Sequence, residues 1–250
     1  MHPFSARPVS TVLALTLLAG CASVPPASSG ALTSYSELAR MKSGRTQASS
    51  RADTAVLRDA RTVRIEPVVF GKATQAQVTP AQRALIANAM ERALCQKLES
   101  RFEVVAAADA DLTVRTSVTR IKITDAEAAA LSVAIGLVIP TPRLPIGLGG
   151  FAAEAEAVGP DGVQAAAMIW SRDADIFSGR RASSIGDAYD LSRKFAQDLS
   201  KLMTSGASRV SKSAPTDGCA IYGAKPNLAD VLLGLFGAPP EWTDRRQVDR

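Results

Sequence analysis

Residues 151–171, FAAEAEAVGPDGVQAAAMIWS, decide the fold of this chain. Two apolar runs flank Gly159-Pro160-Asp161-Gly162, which is typical of a tight turn because proline fixes φ and glycine accepts a positive φ. In the first run, alanines alternate with Glu154 and Glu156. The pattern predicts an antiparallel hairpin with strands at 151–158 and 163–171.

Outward from this hairpin, the sequence predicts two amphipathic helices and further strands. Thr79-Pro80-Ala81-Gln82 is a capping box with proline at the first helical position, so a helix should run from there to about Ser100. A second helix should begin near Ser184. Its inner face carries Ala188, Leu191, Phe195, Leu199 and Leu202. The remaining strands are predicted at 62–70, 102–106 and 112–123.

The predicted fold class is α+β. We expect a two-layer sandwich of order β-α-β-β-β-α, in which two helices pack on one face of a mostly antiparallel sheet. The chain is 46% hydrophobic but only 5% aromatic, so the core should consist mainly of Ala, Val, Leu and Ile. We place this domain at 61–205 with an apolar insertion at 126–150. A C-terminal tail follows at 206–250 and contains a short amphipathic helix at 227–237.

The N-terminus has the pattern of a bacterial lipoprotein precursor. Residues 1–20 read as a signal peptide, with Arg7 before the short apolar run Val12 to Leu18. The following Leu18-Ala19-Gly20-Cys21 resembles a lipobox, which predicts cleavage before Cys21 and acylation of its thiol. Because Ala22 rather than Asp follows, we expect the outer membrane, with the protein facing the periplasm; an inner-membrane anchor is the alternative.

Residues 21–60 are predicted to be a flexible basic tether. They begin with a segment rich in Ala, Ser and Pro, and positive charges follow. Those basic residues could lie on anionic headgroups or belong to a solvated linker. The basic stretch extends a few residues past the tether and comprises Arg40, Lys42, Arg45, Arg51, Arg58, Arg61 and Arg64. Since no RNA-binding motif accompanies them, we do not expect a nucleic-acid partner.

Two cysteines remain once Cys21 is assigned to the anchor. Cys95 falls in the first long helix and Cys219 in the C-terminal tail, and the predicted compartment permits disulfides. The sequence leaves open whether they form a bond or stay as two thiols. A bond would close a loop of more than one hundred residues.

Two apolar segments are candidate contacts with a membrane or a partner. One is the uncharged run at 131–139; the other is the amphipathic tail helix. Either could equally pack on the domain itself, and neither is long enough to span a bilayer. The candidate residues are Leu131, Val133, Ile135, Leu137, Val138, Ile139, Leu232, Leu235 and Phe236.

Composition excludes several kinds of catalysis. The single histidine, His2, lies in the predicted signal peptide, so a mature chain would lack the imidazole of Ser-His-Asp, Cys-His and HExxH sites. Carboxylate pairs remain for a hydrolase or a hard cation. They are Asp109 and Asp111, Glu154 and Glu156, and Asp173 and Asp175. Strand alternation places each pair on one face, which we expect to be the solvent face, and we predict no cofactor or metal.

Four short segments carry a resemblance to a known family. They are Tyr35-Ser36-Glu37-Leu38, Glu66-Pro67-Val68-Val69-Phe70, Phe102-Glu103-Val104-Val105 and Ala153-Glu154-Ala155-Glu156. With the lipobox, the chain resembles a proteobacterial lipoprotein family catalogued as a domain of unknown function, DUF3313, over about residues 21–203. The resemblance implies no catalytic residues. The predicted element order is also similar to the small sandwich of several envelope assembly lipoproteins.

Together these features favour a non-enzymatic, membrane-anchored envelope lipoprotein that binds an unidentified envelope protein. The alternative is a carrier or sensor for a lipid or small apolar molecule, with its pocket between sheet and helices. A deep apolar cavity would favour the carrier, and an exposed apolar patch would favour the partner-binding protein. The sequence does not specify the oligomeric state.

Overall fold

The computed structural model describes residues 25–26, 28–138, 142–143, 145–179, 181–205, 219–223 and 227–244. These residues form an α+β domain with one mixed, mostly antiparallel sheet, as predicted. Its eight strands are β1 (Ala39–Ser43), β2 (Thr46–Ala52), β3 (Thr62–Ile65), β4 (Val69–Phe70), β5 (Glu103–Val104), β6 (Leu112–Lys122), β7 (Gly150–Val158) and β8 (Gln164–Asp173).

The sheet is ordered β1-β2-β8-β7-β6-β3-β5, and β4 also pairs with β6. The predicted hairpin is the antiparallel pair β7-β8, in which Glu154 lies opposite Ile169. Gly162 has a φ of 79°, a value that few residues other than glycine adopt, and this closes the turn between the two strands. Strands β3, β4 and β5 pair in parallel with their neighbours.

Two long helices cover one face of the sheet and enclose the core. These two are α3 (Pro80–Leu98) and α5 (Gly186–Thr204). The other helices of the described residues are α1 (Thr54–Asp59), α2 (Lys72–Gln77), α4 (Ala126–Val138), α6 (Leu228–Leu235) and α7 (Pro240–Thr243). Helices α3 and α5 pack side by side and bury their inner faces against the sheet. The predicted capping box is present at the start of α3. Phe151, Trp170 and Phe195 form a cluster with ring centroids 5.8–6.4 Å apart.

The N-terminal boundary of the domain differs from the prediction. Strands β1 and β2 and helix α1 lie within 21–60, which we had expected to be a tether, and β2 joins the sheet through β8. The predicted first strand, 62–70, is divided into β3 and β4 at Glu66-Pro67, since proline has no amide proton for the ladder. The observed order of elements is therefore longer than β-α-β-β-β-α.

The apolar insertion contains a helix where the sequence suggested only an apolar connection. Helix α4 occupies residues 126–138, and a buried ion pair holds the loop that follows. The Arg143 guanidinium donates to both carboxylate oxygens of Asp187 at the start of α5, and both side chains are almost fully buried. Thr124 Oγ1 and Gly149 N also donate to Asp187, at 3.0 and 2.7 Å. Throughout the described part of the chain, no helix is long and apolar enough to cross a membrane.

A disulfide joins the tail to the core. The Sγ atoms of Cys95 on α3 and Cys219 are bonded, and both residues are fully buried. Arg92 Nη1 donates to the Cys219 carbonyl at 3.0 Å. Of the two alternatives that the sequence left open, the structure contains the disulfide.

Candidate functional site

Two glutamates are buried on the sheet face opposite α3 and α5. Glu154 and Glu156 on β7 are 0% and 1% exposed, although their neighbours Ala153 and Ala155 point into the core. Alternation along the strand places both carboxylates on the same face, as predicted. The expectation that this face is open to solvent is wrong. Burying two carboxylates is costly unless their oxygens accept hydrogen bonds, so the groups covering them matter.

A segment near the N-terminus supplies those hydrogen bonds. We call residues 28–35 the strap. Glu154 accepts from the Ser29 amide, from Ser29 Oγ at 3.2 Å and from the Tyr35 hydroxyl at 2.6 Å. The same hydroxyl accepts from Gly30 N at 2.8 Å, so Tyr35 connects the carboxylate to the backbone of the strap.

Glu156 binds the next part of the strap in the same way. It accepts from Thr33 N at 2.7 Å, from Thr33 Oγ1 at 2.9 Å and from Gln164 Nε2 at 2.8 Å. Gln164 Nε2 also donates to the Ser34 carbonyl at 3.1 Å, and Arg115 lies 3.8 Å from the carboxylate. The two glutamates therefore clamp the strap to the sheet through charge-assisted hydrogen bonds.

The other two carboxylate pairs are not aligned along a strand as expected, because Asp109, Asp111 and Asp175 lie in loops. Asp111 accepts from Thr62 N and Arg61 N, and these backbone bonds hold its pKa below the usual range. Asp175 is partly desolvated, which alone would raise its pKa, but bonds from Ser178, Phe177 and Arg172 lower it. Among the residues that the structure describes, no group of three His, Cys, Asp or Glu side chains could hold a metal ion.

One end of the sheet is surrounded by exposed apolar side chains. At this end, which we call the apolar end, β6 and β8 finish opposite Gly150 at the start of β7. Helix α5 starts there, since Gly149 N donates to Asp187, and α3 starts beside it, since Gln82 bonds Ser184. The exposed apolar side chains in the loops and tail at this end include Ile146, Phe177, Leu228, Leu235, Phe236 and Trp242.

The structure places the predicted contact residues in different settings. Leu131 on α4 is 54% exposed, whereas Val133 and Ile135 are half-buried. Leu137 and Val138 belong to α4, but their side chains, like the whole of Ile139, lie outside the described residues, as do 1–20 and Cys21. On α6, Leu232, Leu235 and Phe236 are all exposed. The sequence reasoning missed Ile146, Phe177 and Trp242, which stand singly in loops or in the short helix α7 and have no periodic pattern.

A groove lies between α5 and the sheet, at the sheet edge formed by β1, which is the edge far from β5. Its volume is about 500 Å³, and it is lined by β1, β2 and β8 on one side and by α5 on the other. Its floor is mainly apolar, with Met41, Ala48, Met168 and Trp170 from the sheet and Leu202 from α5. Lys194, Asp198 and Lys201 stand along its rim.

Taken together, the described residues form an α+β domain whose N-terminal segment is clamped to the sheet and whose apolar end is exposed. Comparison with protein families adds that the chain belongs to the DUF3313 family, described as a protein of unknown function, whose model matches residues 27–199. No curated protein matches.

Among solved structures, the chain is similar to two dodecamers of PelC from Paraburkholderia phytofirmans. One is a variant with a single substitution, with a TM-score of 0.34, and the other has a TM-score of 0.35. Both are 10% identical to this chain, and each match covers 64% of this chain and 95% of the PelC chain.

Proposed function

We propose that this protein is a lipid-anchored, non-enzymatic envelope lipoprotein that holds its domain close to the membrane and binds a protein partner. The observation that carries the proposal is the strap. Ser29 is clamped by Glu154 and stands only eight residues after Cys21, the predicted site of acylation. An acylated Cys21 would therefore connect to a fixed point on the domain rather than to a long flexible tether.

The length of the free connection sets how far the domain can move from the bilayer. Eight residues span at most roughly 26–29 Å when fully extended. A tether of forty residues, as 21–60 first suggested, would allow a much larger separation. The buried glutamates on β7 therefore have a mechanical role in this proposal, because they shorten the connection by joining the strap to the middle of the sheet.

The same contacts argue against catalysis by Glu154 and Glu156. A general acid or nucleophile needs an oxygen that a substrate can approach. Here the oxygens of both carboxylates accept from strap donors or from Gln164. We therefore propose a structural role for this pair.

Labelling with radioactive palmitate, followed by membrane fractionation, tests the anchor. We expect wild type to carry label in the outer-membrane fraction and Cys21→Ala to lose both label and membrane association. Ser23→Ala is the matched control, since it changes a residue two positions later without removing the thiol, and it should label like wild type. An unlabelled wild type would refute the lipid anchor.

The open edge of β1 supports a partner-binding role. Among the described residues, β1 is the last strand of the sheet on its side, so one row of its backbone groups has no neighbouring strand there, and extended peptides commonly add to such edges. A photo-crosslinker at Met41, which is half exposed, should give a discrete adduct in intact cells. A crosslinker at the exposed Val163, in the distant β7-β8 turn, should not give that adduct, and equal adducts at both sites would contradict a role for the edge.

The groove beside β1 favours a second candidate, a carrier of a small apolar ligand. A volume of about 500 Å³ and an apolar floor suit an acyl chain or a compound of drug size. Titration with a fluorescent fatty acid should then show saturable binding that Ala48→Phe removes by filling the groove. Ala167→Ser, on the other face of the same strands, is the control. Absence of saturable binding by wild type would exclude this function for fatty acids.

A further inference from the structure

We propose that the apolar end lies against the surface of the membrane leaflet that holds the acylated Cys21, with α6 and Trp242 inserted among the lipid headgroups. This inference rests on the proposed lipid anchor and adds an orientation to it. In this proposal, the surface that covers the apolar end is lipid rather than protein.

Helix α6 has the character of an interfacial helix. None of its residues is buried, yet five of its eight positions are Leu or Val, and Leu235 and Phe236 are 76% and 64% exposed. With eight residues it is about 12 Å long, far short of the length that spans a bilayer. A short apolar helix of this kind can lie in the plane of the membrane interface.

The domain presents α6 outward instead of folding it onto the core. The segment after the helix is fixed to the loop before α5, where Ala182 N donates to the Gly237 carbonyl at 2.9 Å and Ser183 Oγ donates to Glu241 at 2.8 Å. The Tyr189 hydroxyl donates to the Asp244 carboxylate beyond α7. Because these contacts hold 237–244, the apolar side chains of α6 stay at the surface.

Aromatic side chains from separate parts of the chain add to the same end. Phe177 is 82% exposed in the loop between β8 and α5, and Arg143, which follows α4, bonds that loop through Ile176 and Gly179. Trp242 on α7 is 64% exposed. Tryptophan is enriched where proteins meet the lipid headgroups, since its ring is apolar and its N–H can remain hydrated.

The strap connects this end to the predicted anchor. Thr33 is bonded to Glu156 and Ser29 to Glu154, which is two residues closer to Gly150 at the apolar end of β7. The chain therefore moves toward the apolar end as it approaches Cys21. From Glu154 to Gly150 the strand covers about 13 Å, well within the reach of eight residues. The anchor can thus bring the apolar end to the membrane. The lipid surface always lies close to an anchored domain, so it is the apolar surface that this end would meet.

Fluorescence of the full-length, lipidated protein tests the orientation. The chain has two tryptophans, and Trp170 is fully buried in the core, so quenching by the lipid phase reports on Trp242. In vesicles of phosphatidylethanolamine and phosphatidylglycerol that contain brominated acyl chains, we expect strong quenching of wild type. Trp242→Phe should remove the quenched component and leave the emission of Trp170.

A matched pair of variants separates insertion at this end from proximity of the whole domain. Leu235→Glu combined with Phe236→Glu should abolish most of the quenching of Trp242, whereas Val163→Glu, which adds a charge at the opposite end of the sheet, should leave it unchanged. Equal quenching in both variants would overturn the proposal.

The outcomes also separate this proposal from the lipid anchor. Protein that carries palmitate and sediments with vesicles, but whose Trp242 is not quenched, retains the anchor and refutes the orientation. If the variant Leu235→Cys then forms a disulfide between two copies of the chain, the apolar end is an interface between copies. Protein without palmitate refutes the anchor itself.

Discussion

Replacing Tyr35 by Phe should release the strap while leaving the rest of the domain folded. The change removes one hydroxyl, which donates to Glu154 at 2.6 Å and accepts from Gly30 N at 2.8 Å. A hydrogen bond to a charged group contributes about 1.5–3 kcal/mol, and Glu154 would remain buried with one donor fewer. We therefore expect the free energy of opening the strap to fall by about that amount.

Native-state hydrogen exchange measures this opening directly. Since about 1.4 kcal/mol corresponds to a factor of ten in an equilibrium constant, the amides of Ser29 and Thr33 should exchange roughly 10 to 100 times faster in Tyr35→Phe. Tyr222→Phe is the matched control, because Tyr222 is nearly buried elsewhere, beside the Cys95–Cys219 disulfide. If exchange of the strap amides is the same in Tyr35→Phe and in wild type, Glu154 does not hold the strap through this hydroxyl.

Three further changes should alter stability by separate mechanisms. Asp187→Ala leaves the buried guanidinium of Arg143 without its partner and should lower the free energy of unfolding in urea by about 3–5 kcal/mol. The double variant with Arg143→Met should recover much of this loss, because it also removes the buried charge. If the losses of the two single variants simply add in the double variant, the ion pair does not account for the effect. Replacing Cys95 and Cys219 together by Ala opens a loop of 124 residues and should cost about 4–5 kcal/mol relative to disulfide-bonded wild type, measured in the same way. Reduced wild type is the control and should be as unstable as this variant. Desolvation raises the pKa of Asp244, so its contribution to stability is present below the unfolded pKa and is lost as pH rises through the folded pKa. Asp244→Asn should flatten that decline in urea titrations at pH values above about 4, where an unfolded Asp loses its proton, and an unchanged pH profile would argue against this role of Asp244.

The hairpin and the two long helices could be predicted because their patterns are strong and local. The turn at Gly159-Pro160-Asp161-Gly162 and the capping box at Thr79 each specify a chain direction within four residues. Strands β1 and β2 have no such signal. The inward positions of β2 are Thr46, Ala48 and Ser50, so the sequence shows no apolar alternation even though these side chains are buried. Their burial comes from pairing with β8, a partner more than one hundred residues away.

The clamp was only half predictable for the same reason. Alternation along β7 placed Glu154 and Glu156 on one face, but their burial depends on donors from the strap, which is separated from them by about 120 residues. A carboxylate pair on a strand with small apolar neighbours looks the same in sequence whether water or another segment covers it. The apolar end poses a similar problem, because only the folded loops around α5 bring Phe177, Trp242 and α6 to the same end of the sheet.

The acyl chains and the apolar end would contribute different things to membrane binding. Two or more acyl chains already make attachment effectively permanent, so further burial of α6 adds little to the time the protein stays on the membrane. It would, however, restrict rotation of a domain that is held at one point near Ser29. With the apolar end on the lipid and the strands rising from it, the open edge of β1 and the adjoining groove would face sideways along the membrane. A partner on the same membrane would then meet that edge in one orientation, and neither the strap nor the anchor alone could impose this.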